Sequence, residues 1–135
     1  MLSLTPFVCF KTLVKKRKIK ADYADEKVTI NIDLDLAAQL RYQYYMKPVS
    51  DEHIKKLEDT ISEKVKNDIE YSIKRAQNEF GCDIFGFDKY FRAKQPEIYE
   101  KINWEDAFAK ADINVNVKTK IINKSLTDPN AKKEY

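Results

Sequence analysis

The strongest constraint in the sequence is an apolar stripe that recurs at three- and four-residue steps over about 30 residues. Ser50-Asp51-Glu52 precedes it and is typical of a helix start, because a serine can cap free backbone N–H groups. The stripe consists of Ile54, Leu57, Ile61, Val65, Ile69, Ile73, Ala76 and Phe80. Since the opposite face is charged, the pattern predicts one amphipathic helix roughly 45 Å long. Such a helix must bury its stripe against another element.

Alternating apolar and polar residues predict a β-sheet as that partner. In residues 27–40, five aliphatic side chains alternate with polar ones, which predicts a strand with one buried and one solvent-exposed face. Residues 113–121 alternate in the same way. Residues 7–22 are first β-branched and aromatic, then basic, and predict a strand that forms a hairpin with 27–40 through a polar turn at 23–27. We expect the final strand to pair with this hairpin.

The element order β-β-α(long)-α(short)-β predicts an α+β fold. We expect an antiparallel or mixed sheet of three to four strands, packed against one long helix and short helices near 88–93 and 96–102. A chain of 135 residues suits a single domain. We therefore expect one domain over residues 1–122 and a mobile C-terminal tail over 123–135, where no periodic pattern is present.

Both glycines of the chain lie in one segment, Gly-Cys-Asp-Ile-Phe-Gly-Phe-Asp, at residues 81–88. A phosphate-binding loop needs more glycines and a following lysine, and a calcium loop needs alternating oxygen ligands. Neither pattern is present. The segment instead favours a structural joint in which Gly81 ends the long helix at positive φ. Gly86 would allow a turn where a side chain would clash, and Asp88 would cap the next helix.

Several other residues belong to the same predicted joint. Ile84, Phe85 and Phe87 are expected to enter the core at the helix end. Asn103 is expected to cap a last helical turn. The complete joint is Gly81, Asp83, Ile84, Phe85, Gly86, Phe87, Asn103 and Trp104.

The residues that usually carry catalysis or bind metals are scarce. One histidine, His53, and two distant cysteines cannot fill a four-ligand zinc site. Asp33 and Asp35 share a strand face and could form a pair of catalytic carboxylates. Acids that alternate with aliphatic residues are, however, typical of the solvent-exposed face of a strand. We therefore expect no enzyme activity, no cofactor and no metal. No apolar run approaches the length that spans a membrane.

A basic run and a tyrosine-rich segment are the candidate interaction residues. The run could contact an anionic surface or an acidic partner, or it could protect an edge strand from aggregation. A net charge of +3 is low for a dedicated nucleic-acid binder, so we expect no nucleic acid as partner. Exposed tyrosines would mark a docking surface. The candidates are Lys15, Lys16, Arg17, Lys18, Tyr42, Tyr44 and Tyr45.

The sequence from the hairpin to the final strand resembles the C-terminal domain of the Ger(x)C family of spore germination proteins, over about residues 7–122. The likeness rests on a lysine-rich strand pair and a long charged helix that leads into Asp83-Ile84-Phe85-Gly86-Phe87. An aromatic helix with Tyr90-Phe91 and Pro96 follows, then Asn103-Trp104, then the alternating strand. These are mostly packing residues.

The resemblance implies a scaffold or interaction domain of the C subunit of a nutrient germinant receptor. Such C subunits are lipoproteins on the outer face of the spore's inner membrane, and they act with A and B subunits. Family members carry the lipid anchor on a preceding segment, and we expect this chain to lack it because Cys9 follows Val8 rather than a small residue. The chain alone is then expected to be soluble.

Two alternatives stay open at the level of sequence. One is a stand-alone soluble interaction domain that uses the same fold. The other is a weak nucleic-acid binder through the basic residues of Lys15–Lys20, with strongly salt-dependent affinity.

Overall fold

A computed structural model describes residues 2–5, 8–43 and 51–123, with side chains described for 11–39 and 51–122. The predicted α+β class is confirmed. Helix α1 (Asp51–Arg75) continues into a π-helical turn at Ala76–Phe80, so the long helix extends from Asp51 to Phe80. The elements in chain order are β1 (Leu2–Thr5), β2 (Val8–Ala24), β3 (Lys27–Gln43), α1 (Asp51–Arg75), α2 (Asp88–Lys94), α3 (Pro96–Lys101), α4 (Trp104–Lys110) and β4 (Asp112–Asn123).

The four strands form one sheet in the order β1-β2-β3-β4. Strand β1 was not predicted, because four residues are too few to show a period. It pairs antiparallel with only the start of β2, where Leu2 lies opposite Phe10. A two-residue turn joins β2 to β3. Its residues, Asp25 and Glu26, have φ of 52° and 60°, as this tight antiparallel hairpin connection requires.

Strand β4 lies beside β3 and runs parallel to it. Asn114 Nδ2 donates to Asn31 Oδ1 at 3.0 Å, and Asn116 Nδ2 donates to Asp33 Oδ1 at 3.1 Å. Both partners advance in the same direction along the chain, which only parallel strands allow. The sheet is therefore mixed, in agreement with the predicted fold.

The chain divides into two compact units. The first comprises Met1–Lys16, Leu34–Val65 and Val117–Tyr135. Its core contains Ile54, Leu57 and Ile61 of α1, which are buried together with Ala38 of β3 and Ile121 of β4. The predicted apolar stripe therefore packs against the sheet in this unit.

The second unit comprises Arg17–Asp33 and Lys66–Asn116, and its core is largely aromatic. Phe91 of α2 and Phe108 of α4 are fully buried. Phe91 lies 5.1 Å from the Trp104 ring, between centroids, and 6.0 Å from Tyr23 of β2 in an edge-on contact. These contacts hold α2 and α4 together and attach α2 to the sheet.

The π-helical turn changes the direction in which the end of the long helix presents its side chains. An extra residue in this turn shifts the later side chains out of phase with the apolar stripe. Phe80 was expected in the core with that stripe, but it is 54% exposed. In the same turn Gln77 Nε2 donates to two carbonyl oxygens at the end of α4, Phe108 O at 2.8 Å and Ala111 O at 2.9 Å. Gln77 thereby supplies a donor to Ala111 O and a second donor to Phe108 O, which also accepts from the backbone N–H of Ala111 at 3.2 Å.

The substitution Gln77→Glu should destabilise the protein by about 2 kcal/mol, because a carboxylate would face two carbonyl oxygens and donate to neither. Chemical denaturation measures the loss. The matched control is Asn78→Asp, the same amide-to-acid change at the next, exposed position. Equal stability of the two variants would contradict a capping role for Gln77.

Candidate interaction surface

The joint between the long helix and α2 is organised by the carboxylate of Asp83. Its Oδ1 accepts hydrogen bonds from the backbone N–H groups of Phe85 at 3.2 Å and Gly86 at 3.0 Å. Its Oδ2 accepts from the backbone N–H of Asp88 at 2.9 Å and from Trp104 Nε1 at 3.0 Å. One half-buried side chain therefore closes the loop, caps α2 and attaches the start of α4.

The position of Asp83 corrects two expectations for this segment. Asp88 was expected to cap α2, but Asp83 accepts the hydrogen bond from the first helical N–H, and Asp88 is itself the first residue of the helix. Gly86 was expected to avoid a clash, but a Cβ placed there would meet nothing within 4 Å. Its φ of 76° is the constraint, as is the φ of 62° at Gly81, where the helix ends.

Only one of the three apolar residues of the joint lies in the core. Phe87 is buried, whereas Ile84 is 59% exposed and Phe85 is 39% exposed, so their expected burial was wrong. The reason is local. The hydrogen bonds from Phe85 and Gly86 to Asp83 fold the loop around the carboxylate, and its tip projects outward. Phe85 stacks on Phe87 from outside, with 5.2 Å between ring centroids.

The other joint residues lie at the start of α4. Asn103 precedes the helix, and its Oδ1 accepts from the backbone N–H of Asp106 at 3.3 Å, the geometry of a helix N-cap. Trp104 packs on Phe91 while its indole N–H binds Asp83. The segments around Asp83 and Asn103 are therefore linked through one tryptophan.

The predicted basic run lies on β2 with every side chain exposed. The run is Lys15, Lys16, Arg17 and Lys18, and Lys20 follows on the same strand. Strand β1 pairs with β2 only at Val8, Cys9 and Phe10. In the part of the chain that the structure describes, β2 beyond Phe10 therefore has β3 on one side and no strand on the other. The run lies on an edge strand.

An open groove of about 680 Å³ lies between this edge and α2 in the second unit. Strand β2 contributes Ile19, Lys20 and Ala21 to its lining. Helix α2 contributes Lys89, Tyr90, Ala93 and Lys94. The floor is mainly apolar, and three lysines surround it. Lys94 also pairs with Asp22 of the strand. Sequence reasoning missed the helical half of the groove, because two lysines on a short exposed helix resemble an ordinary solvated face.

A second exposed cluster lies at the end of the long helix. The guanidinium of Arg75 lies over the rings of Phe80 at 5.3 Å and Tyr71 at 5.9 Å, measured to the centroids. Glu79 accepts a hydrogen bond from Arg75 Nε at 3.0 Å, and this bond and the charge of Glu79 raise the pKa of Arg75 above its ordinary value. These contacts order aromatic surface on the helix.

The remaining sequence candidates lie apart from these surfaces or outside the described residues. Asp33 is exposed and accepts the hydrogen bond from Asn116. Asp35 lines a smaller groove of the first unit, with Lys15, Lys118 and Lys120.

His53 is exposed in the first turn of α1. Tyr42 belongs to β3 but its side chain is not described, and Tyr44 and Tyr45 lie outside the described residues. The described residues contain no cluster of three or more metal-ligating side chains.

Replacement of Asp83 with alanine should destabilise the protein by about 2–4 kcal/mol, because it leaves four donors without their charged acceptor. Urea denaturation followed by the fluorescence of Trp104, the chain's only tryptophan, measures both stability and the local environment. Asp88→Ala is the matched control and should cost only about 0.5 kcal/mol, the contribution of an acid in the first helical turn. An equal loss in both variants would contradict the central role of Asp83.

No helix among the described residues is both long and apolar enough to cross a lipid bilayer.

The family described as "Spore germination B3/ GerAC like, C-terminal" matches residues 5–125. The chain is 29% identical over 109 residues to spore germination protein YndF of Bacillus subtilis (strain 168). That alignment covers 78% of this chain and 27% of YndF. The chain therefore spans less than a third of this curated relative.

The fold is shared with a solved structure. The crystal structure of the GerBC protein superimposes with a TM-score of 0.74 at 20% sequence identity. The superposition covers 86% of this chain and 41% of that one. At this identity the likeness shows the fold alone. The resemblance to the Ger(x)C C-terminal domain is confirmed by the family match, which extends over most of the chain: this protein belongs to the Spore germination B3/GerAC-like family, in the region of its C-terminal domain.

Proposed function

We propose that this chain is a non-catalytic interaction domain of a nutrient germinant receptor C subunit and takes part in nutrient-triggered spore germination. The observation that carries the proposal is the family match over residues 5–125. The relationship to a spore germination protein of Bacillus subtilis supports the same process. The resemblance to the Ger(x)C family supplies the receptor role.

The chemistry of the joint supports a structural rather than a catalytic role. A carboxylate that acts as general base needs an oxygen free to reach a substrate proton. Both oxygens of Asp83 instead accept hydrogen bonds from the protein itself, two each. Asp83, Phe87 and Trp104, which carry part of the family resemblance, are thus used for packing and loop closure, which favours a domain that presents surfaces to partners.

The proposed partners are the A and B subunits of the same receptor. The proposed location is the outer face of the spore's inner membrane, where a lipid anchor elsewhere in the parent lipoprotein would hold the domain. Two surfaces are available for contact in the second unit. They are the groove beside β2 and the aromatic cluster around Arg75.

Deletion of this domain from its parent protein should abolish or slow germination in response to the receptor's nutrient. Dipicolinic acid release from spores measures the response. The strain should carry no second receptor for that nutrient, and a trigger that bypasses nutrient receptors should still work. Normal nutrient germination in the deletion strain would contradict the proposal.

The native size of the protein distinguishes the receptor subunit from a free-standing interaction domain. An antibody against this domain should detect a membrane-bound species larger than the 15.9 kDa of this chain. A species of 15.9 kDa confined to the soluble extract would contradict the receptor assignment and favour the free-standing domain.

A further inference from the structure

The groove between β2 and α2 combines three features that together specify a ligand. The first is an available strand edge. In the described residues β1 ends its pairing with β2 at Phe10, so no neighbouring strand occupies the outer edge of the segment Arg17–Ala24. An edge strand presents backbone N–H and C=O groups that can pair with another extended chain.

The second feature is an apolar floor at the same edge. Successive residues of a strand face opposite sides, so Ile19 and Ala21 share the side that α2 covers, while Lys20 lies between them at the rim of the groove. Ala93 and Tyr90 of α2 complete the floor. The volume of about 680 Å³ lies within the range of ligand-binding pockets. An added strand would direct every second side chain into this groove.

The third feature is the charge around the floor. Lys20 on the strand and Lys89 on the helix form no ion pair with any carboxylate in the part of the chain that is described, and Lys94 pairs only with Asp22. The groove therefore presents positive charge on both of its walls, and an acidic segment complements it.

The same charges disfavour a second copy of this chain as the occupant. Two β2 edges that paired with each other would bring Arg17, Lys18 and Lys20 against their counterparts. Like charges opposite one another across a strand pair are destabilising. The occupant must therefore carry acidic residues, which this edge lacks except at Asp22.

We propose that the β2–α2 groove captures an extended acidic segment of a partner protein by strand addition, with alternate apolar side chains of that segment in the groove. This inference rests on the proposed role as an interaction domain and names the chemistry of the partner. The acidic side chains that alternate with the apolar ones would lie along the rim of the groove and pair there with Lys20, Lys89 and Lys94. The strand edge would supply affinity, and the lysines would select the charge of the partner.

The test uses the whole 135-residue chain and a fluorescein-labelled octapeptide of alternating glutamate and valine. Fluorescence anisotropy should show saturable binding with a Kd below about 1 mM, weakened by added salt. A peptide with lysine in place of each glutamate should not bind. Hydrogen exchange should show new protection of backbone amides within Arg17–Ala24, which contact with side chains alone would not produce.

Two variants with equal charge changes localise the site. The double variant Lys20→Glu/Lys89→Glu should bind the acidic peptide at least about tenfold more weakly, because like charges then line both walls. The matched control is Lys118→Glu/Lys120→Glu on β4, which should bind as the unmodified chain does. All four lysines are exposed, so neither variant removes a core contact. Ala93→Trp, which fills the groove without a charge change, should also block binding.

Several outcomes would overturn the proposal. These are no binding of the acidic peptide, equal weakening in the two lysine variants, or binding without protection of the β2 amides. Binding of phosphatidylglycerol vesicles or duplex DNA by the same lysines, in place of the peptide, would make the groove an anionic-surface contact instead. Each result concerns the isolated chain, so it is distinguishable from a failure of the germination prediction, which concerns spores.

Discussion

The arrangement of the short helices depends on the hydrogen bonds that the carboxylate of Asp83 accepts. It closes the loop after the long helix, caps α2 and holds the indole of Trp104. Trp104 in turn packs on Phe91, and Phe91 attaches α2 to Tyr23 of the sheet. A chain of contacts therefore connects one acidic side chain to the wall of the β2–α2 groove. The position of Lys89 and Lys94 on that wall follows from how α2 is held.

The sequence predicted the main elements because their periods are long and regular. Two kinds of periodic pattern were long enough to be recognised: the alternation over residues 27–40 and 113–121, and the 3.6-residue period of the long helix. Each covers many residues, so it is unlike a random distribution of apolar side chains. The α+β class, with a sheet packed against one long helix, follows from these elements. Strand β1 escaped prediction because a four-residue pattern carries too little information. The order of the strands and the parallel direction of β4 could not be derived, since pairing partners far apart in the chain leave no local signal.

Errors within the joint have a common physical origin. Sequence patterns predict burial from the type of side chain, but Ile84 and Phe85 are positioned by hydrogen bonds from the backbone to Asp83. Phe80 is likewise exposed because a π-helical turn breaks the period that predicted its burial. The basic run was found in the sequence because its residues are consecutive. The groove was not, because its two walls come from β2 and α2, which are separated by more than 60 residues.

The parallel pairing of β3 and β4 has a consequence for how the protein is made. Asn31 and Asn114, which join these strands, are 83 residues apart. At a synthesis rate of roughly 5–20 residues per second, the ribosome takes about 4–17 s to synthesise those 83 residues, so strand β4 follows the β2–β3 hairpin by that interval. During this interval both edges of the hairpin beyond β1 are open to other nascent chains. The basic residues along β2 give the hairpin a charge that repels copies of itself, so the same side chains that favour an acidic partner in the finished protein also protect the unfinished one.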